Sequence, residues 1–222
     1  MSDYMIELKN LSIGLPKKMT YGQEKELDTG ICKETIEEAL LTTDGFQGDG
    51  VADLRFHGGP DRAVCIYPYE HYARWEQELK SPLPPATFGE NLTVTNMLEQ
   101  DIHIGDIFQL GDAVVQITQG RIPCSTITKR TGHPLLLKRM IETGFTGYLC
   151  RVLEEGTVRK NSTMTLLESH PKQISILFAN QIYFHQQKDV EGIQKILDVP
   201  ELAGEWRERL EKRLEKLTNP VQ

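Results

Sequence analysis

The sequence predicts a mainly β unit, a barrel or sandwich of short strands with a few peripheral helices, followed by a small all-α unit of three helices. Three observations carry this. Short β-branched and aromatic runs recur between Met5 and Leu167 with Gly-bearing turns between them, which is how closed or stacked antiparallel sheets read. Apolar residues at helical spacing interrupt that series at two places, 68–80 and 133–143. From about Pro171 the pattern shifts to three amphipathic stretches with Arg and Lys between the apolar positions. The shift places a boundary near 169, with residues 1–168 as the β unit and 169–222 as the helical one.

Taken in order, Met5–Gly14 alternates loosely as MIELKNLSIG and reads as a first strand. Gly14–Gly22 carries Gly, Pro and Lys and reads as a loop, with Lys17 and Lys18 in solvent. Ile31–Leu41, ICKETIEEALL, starts as a short strand and continues at mixed spacing, so its state stays open; Glu34, Glu37 and Glu38 form a wet face. Asp44–Pro60 holds five glycines in 17 residues, the composition of a structured loop or a pair of turns. Ala63–Tyr67, AVCIY, is a buried strand, and Tyr69, Tyr72, Ala73, Trp75 and Leu79 mark the helix after it, which SPLPP stops. Strands follow at Phe88–Val94, Ile102–Leu110 and Val114–Thr118. The helix over His133–Thr143 gathers Leu135, Leu136, Leu137, Met140 and Ile141 on one side. Gly147–Leu153 and Ser162–Leu167, separated by EEGTVRKN, close the β series. In the tail, Ile174, Leu177, Phe178 and Ile182 fit one helix, Val190, Ile193, Ile196 and Leu197 a second, and Leu202, Trp206, Leu210, Leu214 and Leu217 a third.

With 222 residues, 39% hydrophobic and 26% charged, the chain can build a real core. A net charge of −7 argues against a general nucleic-acid surface, which needs a dense basic patch, so any anionic ligand must be held by a local cluster. No charged-then-apolar leader opens the chain, and no apolar run approaches the roughly 18 residues that span a bilayer. A cytoplasmic protein without a membrane partner is expected. Cys32, Cys65, Cys124 and Cys150 sit 33, 59 and 26 apart with no CxxC and no paired His spacing, which argues against a zinc ribbon or knuckle and fits reduced thiols.

The chemistry-bearing stretch is Val114–Ile127, VVQITQGRIPCSTI, a β-branched run broken by Gly120 and Pro123 that presents Cys124 at its end. Arg121, three residues earlier, favours thiolate, the nucleophilic and metal-ligating form. Taken alone, such a cysteine also fits a small buried hydrophobe. Two further clusters join it. Arg55-Phe-His57-Gly58-Gly59-Pro-Asp61-Arg62 combines tight backbone approach with donors suited to a phosphate or other oxyanion, and equally fits a solvated hairpin. Phe88-Gly89-Glu90-Asn91 sets a carboxylate beside a carboxamide, able to read an amide-like heterocycle edge or to cap a turn. Walker and GxGxxG motifs are absent. His57, His71, His103 and His133 leave a Cys–His hydrolase open, without a local motif for it.

In this order, HGGPDRAV at 57–64, FGEN at 88–91 and RIPC at 121–124 resemble the MOSC domain, the β-barrel found at the C-terminus of molybdenum cofactor sulfurases and as free-standing bacterial proteins. The resemblance covers about residues 40–168, and DGFQGDGVAD at 44–53 looks like the family's glycine and aspartate loop. Pro171–Leu217 resembles the three-helix appendage of a bacterial subgroup that acts against N-hydroxylated nucleobase analogues. The resemblance implies a MOSC-type β-barrel binding the molybdenum cofactor (molybdopterin). It makes Cys124 the molybdenum ligand and catalytic residue, or else the persulfide carrier. It places His57, Gly58 and Gly59 in the cofactor or substrate loop and Glu90 and Asn91 on the pocket wall; Arg55, Arg62 and Arg121 join them on electrostatic grounds as anion contacts. The implied function is reduction of N-hydroxylated bases or related compounds, and the alternative is a cofactor or persulfide sulfur carrier without turnover of its own. Electrons or sulfur then come from a partner, an electron-donating reductase or a sulfur donor protein. Gly120 is expected to loosen the turn before Cys124. The tail, carrying none of the three clusters, is expected to be dispensable for cofactor binding; it offers a contact surface for a homodimer, and oligomeric state stays open.

Overall fold

The computed structural model describes residues 6–53 and 58–219. The strands are β1 (Ile6–Ile13), β2 (Lys17–Tyr21), β3 (Lys25–Thr29), β4 (Glu34–Thr35), β5 (Glu38–Thr42), β6 (Gly45–Phe46), β7 (Val64–Pro68), β8 (Leu92–Val94), β9 (Ile107–Leu110), β10 (Ala113–Gly120), β11 (Tyr148–Glu154), β12 (Gly156–Arg159) and β13 (Thr163–Glu168). The helices are α1 (Glu70–Leu79), α2 (Ser125–Thr131), α3 (Leu136–Thr143), α4 (Ile176–Phe184), α5 (Val190–Leu197) and α6 (Gly204–Thr218).

Seven strands close into a barrel in the order β13-β9-β10-β11-β7-β8-β1, and β1 pairs back onto β13 with Ile6 opposite Met164. Every pairing in the ring is antiparallel except β7 with β8, where Ile66 lies opposite Leu92. That parallel step requires a crossover, and α1 supplies it. Closure removes the exposed sheet edge that a row of short strands would otherwise leave. β12, β5 and β6 form a small side sheet, and β2 pairs β3 as a separate hairpin.

All eight residues of β10 are buried, because one face looks into the barrel and α4 packs on the other. A strand covered on both faces reads as a continuous apolar run rather than an alternating one, which is the signature of Val114–Ile117. The tail joins the same core: Ile176, Ala179, Ile193, Ile196 and Trp206 belong to one continuous cluster with Val115, Ile117, Phe108 and Ile104. Each such side chain removed from water contributes about 1.5–3 kcal/mol. A second cluster under the hairpin unites Met19, Ile31, Tyr67, Trp75, Phe88 and Ile127.

The segment expected as a loop at 14–22 instead pairs as β2 with β3, because Met19 turns inward onto that second cluster while Lys17 and Lys18 stay exposed in ion pairs with Glu34 and Glu26. β12 lies inside EEGTVRKN, and α2 follows Cys124 directly, neither of which periodicity announces. The strand expected over 102–110 begins at Ile107, since Asp106 ties the preceding turn by accepting from the backbone N–H groups of His103 (2.9 Å) and His170 (2.8 Å). Gly120 does not break β10 and does not loosen the turn. A Cβ there would lie 2.0 Å from Asn180 Oδ1, so glycine is what lets α4 approach. No described helix is long and apolar enough to cross a membrane.

Candidate functional site

β10 ends at Gly120, and the chain turns through Arg121–Pro123 to put Cys124 at the head of α2 with its thiol free and half-exposed. The turn is fastened by the Arg121 N–H donating to Gly147 O at 3.0 Å. Cys124 and Arg121 lie on the wall of a cavity of about 750 Å³. Arg121 Nη2 donates to Phe88 O at 2.5 Å, and its Nη1 is buried without a hydrogen-bond partner among the described residues. Burial alone would lower this guanidinium's pKa, but Cys65, Cys124 and Glu90 together outweigh it and the net shift is upward. The site therefore holds a fixed cation between two thiols.

FGEN divides into two roles. Asn91 is a wall residue and a clip: its Oδ1 accepts from Cys65 N–H at 3.0 Å, and its Nδ2 donates to Asp49 Oδ2 at 2.8 Å and Ser12 O at 3.3 Å. Glu90, expected on the wall, lies behind it, fully buried. Its carboxylate accepts from the Tyr72 hydroxyl, from Thr93 Oγ1 at 3.0 Å and from Phe88 N–H at 3.1 Å. The local reason is chain direction: β8 begins at Leu92, and the tight FGE turn folds the Glu90 side chain back over its own backbone. Glu90 thereby holds Phe88, the residue whose carbonyl anchors Arg121.

Gly58, Gly59 and Arg62 reach the cavity, whereas Arg55 and His57 lie outside the described residues. Gly59 sits at φ +108°, a conformation side chains resist, and leads into the 3-10 turn Pro60–Arg62. That turn is clamped by the tail. Asp61 Oδ2 accepts from Gly204 N–H at 2.9 Å, and Arg62 is ion-paired with Glu205. Glu205 also accepts from Arg209 Nη2 at 2.6 Å, and both tail residues line the cavity. The tail is therefore part of the cavity wall, although it carries none of the three sequence clusters.

Four features escaped the sequence. Lys33 and Asp49 form an ion pair at the wall, their side chains 5% and 13% exposed, with Asp49 also accepting from Gly14 N–H at 2.9 Å. Gln119 lines the cavity and leaves Oε1 unpartnered. Cys65, expected as a packing residue, is half-buried and faces the cavity, although burial still pushes its thiol up. The tail residues complete the set. The alternation along β10 that puts Gln119 on Arg121's face was the one signal available beforehand.

Among the described residues no histidine lines the cavity; His71 is buried against Glu99 at 2.7 Å, and the half-buried His103 pairs with Asp106 at 3.1 Å. A Cys–His nucleophile finds no support there. Nor do the described residues hold any group of three or more His, Cys, Asp or Glu placed to bind a metal.

The MOSC domain pattern matches residues 53–165, and the pattern described as the YiiM-like, 3-alpha helix domain matches residues 174–217. The Bacillus subtilis (strain 168) protein YflK is 43% identical over 94% of each chain. The crystal structure of YiiM from Geobacillus stearothermophilus superposes with a TM-score of 0.80 at 30% identity, covering 94% of this chain and 99% of that one. A Gibberella moniliformis (strain M3125 / FGSC 7600) protein named Reductase is 39% identical over 71% of this chain, a match that occupies 29% of the fungal protein.

Proposed function

The chain belongs to the MOSC domain family, and from that premise we propose that it binds the molybdenum cofactor and reduces N-hydroxylated bases or related N-hydroxylated compounds with electrons from a partner protein. The observation that carries this reading is Cys124 beside the buried, unpartnered Nη1 of Arg121 on one cavity wall. The residues fit the group. A thiol is the soft ligand molybdenum takes, and with Cys124 as the protein ligand and no metal-binding group of three or more among the described residues, the metal would bring its remaining ligands with it. A cavity of about 750 Å³ has the size of a small-molecule site. Its charge is not that of a general anion trap, because Lys33, Arg62 and Arg209 are each matched to a carboxylate. Among the described residues Arg121 has only Glu90, a carboxylate behind the wall, as a charged neighbour of opposite sign beside the two cysteines, which suits a ligand bearing anionic oxygens.

When bound, the cofactor supplies a two-electron redox centre. The overall change is R–NH–OH plus two electrons and two protons giving R–NH₂ and water, with the N–O bond broken. Within this chain, Cys124 would ligate the metal, Arg121 would hold the group's negative charge beside the thiol, and the Asn91–Asp49–Lys33 set keeps the glycine loop against the wall. The fungal protein named Reductase joins a segment like this one to a longer chain, which supports an electron-donating partner. A cytoplasmic location fits reduced thiols at the site.

The test is cofactor extraction from native protein with assay for molybdenum and pterin, followed by turnover of an N-hydroxylated base with an artificial electron donor. Stoichiometric metal with turnover is expected. Metal without turnover supports the carrier alternative, and absence of both metal and pterin refutes the reading.

A further inference from the structure

Gln119 and Arg121 stand two residues apart at the end of β10, so their side chains share the cavity face while Gly120 faces Asn180 on α4. Gln119 is 1% exposed, and its Oε1 has no hydrogen-bond partner among the described residues. Arg121 Nη1 is in the same condition. The amide is oriented by Nε2 donating to Gly120 O at 3.2 Å, a long bond that yields to a small rotation of the side chain. A buried acceptor without a donor is a standing cost to a fold and calls for a reason. Here the orphaned acceptor and the orphaned donor belong to neighbouring residues of one cavity wall. That is the complement of a heterocycle edge presenting an N–H beside a ring nitrogen or a carbonyl. Purines with an exocyclic amino or hydroxylamino group have such an edge, and so does the 2-amino-4-oxo side of a pterin.

We infer that Gln119 is a ligand-reading residue whose Oε1 accepts an N–H from an aminated or hydroxylaminated nitrogen heterocycle, with Arg121 Nη1 donating to the adjacent acceptor of the same ring. The inference rests on the cavity being the site of the proposed reduction. It adds to that reading a residue that selects the ring by its hydrogen-bonding edge and does not touch the metal ligand.

The experiment measures binding of two probes, 6-hydroxylaminopurine and pterin, to the 222-residue chain freed of molybdenum, by calorimetry, together with thermal melts. Parent, Gln119→Leu and Gln119→Glu are compared. Gln119→Leu should weaken at least one probe about ten- to hundredfold, the scale of one buried hydrogen bond. Its Tm should be unchanged or higher, because an unsatisfied acceptor has been removed. Gln119→Glu keeps an acceptor and should stay within a few-fold of parent. Loss for hydroxylaminopurine alone assigns the residue to substrate, loss for pterin alone to cofactor, and loss for both to the edge they share. A purely structural glutamine gives the reverse, a lower Tm with unchanged affinities. That result, or failure of both probes to bind the parent chain, overturns the inference. Neither probe requires metal or turnover, so this outcome is independent of whether N-reduction is observed.

Discussion

Surroundings decide what each cysteine substitution does. Cys124 reaches the cavity beside Arg121, so Cys124→Ser should abolish molybdenum content and leave the melting temperature nearly unchanged, measured by metal mass spectrometry and thermal melt. Retained stoichiometric metal would return Cys124 to an ordinary strand-end residue. Cys150 is fully buried, and burial pushes its thiol well above its usual range. Cys150→Ser should cost about 1–3 kcal/mol through a hydroxyl without a partner and spare the metal. The raised thiol also sets a pH dependence. Its folded pKa lies above its unfolded one, so the stabilisation is complete below the unfolded value near 8.5 and is lost as pH rises towards the folded value. Stability of the parent should therefore fall above about pH 8.5, and Cys150→Ala should flatten that fall in chemical denaturation at pH 7 and pH 10. Cys124 and Arg121 were legible because four residues of local sequence hold both. Lys33 with Asp49, and Gln119 with its orphaned oxygen, were not, because their meaning arises from partners brought across the barrel.

Among the elements, β10 shows why a glycine can be misread. In sequence Gly120 ends a β-branched run and looks like punctuation. In the fold it is the point where α4 touches the barrel, with Asn180 Nδ2 donating to Gly144 O at 2.8 Å and Thr146 Oγ1 at 3.0 Å across the same contact. Gly120→Ala should destabilise by about 1–3 kcal/mol, the range of an overpacked core. Asn180→Ala in the same chain should recover part of that, a coupling readable in a double-mutant cycle by urea melts. Additive losses would mean that the contact is not what requires glycine. The strands with strong apolar runs, AVCIY and VVQIT, and the amphipathic tail helices were readable from period alone. The β2–β3 hairpin and α2 were not: each contributes one or two inward residues, Met19 and Ile127, to a cluster assembled from distant parts of the chain.

On the scale of the whole molecule, the tail helices and the barrel share a core and a cavity, so the tail cannot be treated as an accessory. A chain ending at Glu168 would bare the outer face of β10 and leave Val115, Ile117 and their neighbours without the tail side of their cluster. It is expected to aggregate or to lose cooperative unfolding. That outcome cannot separate folding from site-building, whereas Glu205→Gln can. Glu205 leaves the core untouched but removes the charge that holds Arg62 and Arg209 together, and its side chain is 26% exposed, so the ion pair is partly desolvated. Asp61, held by Gly204 N–H and by Arg151 Nη2 at 2.7 Å, should keep the neighbouring turn in place. The stability loss should therefore be modest, about 0.5–1.5 kcal/mol. Its effect on the site should be larger than on the fold, because the Arg62 N–H donates to Gly59 O at 3.0 Å across the 3-10 turn and the Arg62 side chain at the cavity wall is paired with Glu205 of α6. Cofactor retention during gel filtration should fall severalfold in Glu205→Gln while circular dichroism stays that of the parent. Unchanged retention would show that Asp61 alone carries the link between tail and loop, and that the barrel's own residues suffice for the site.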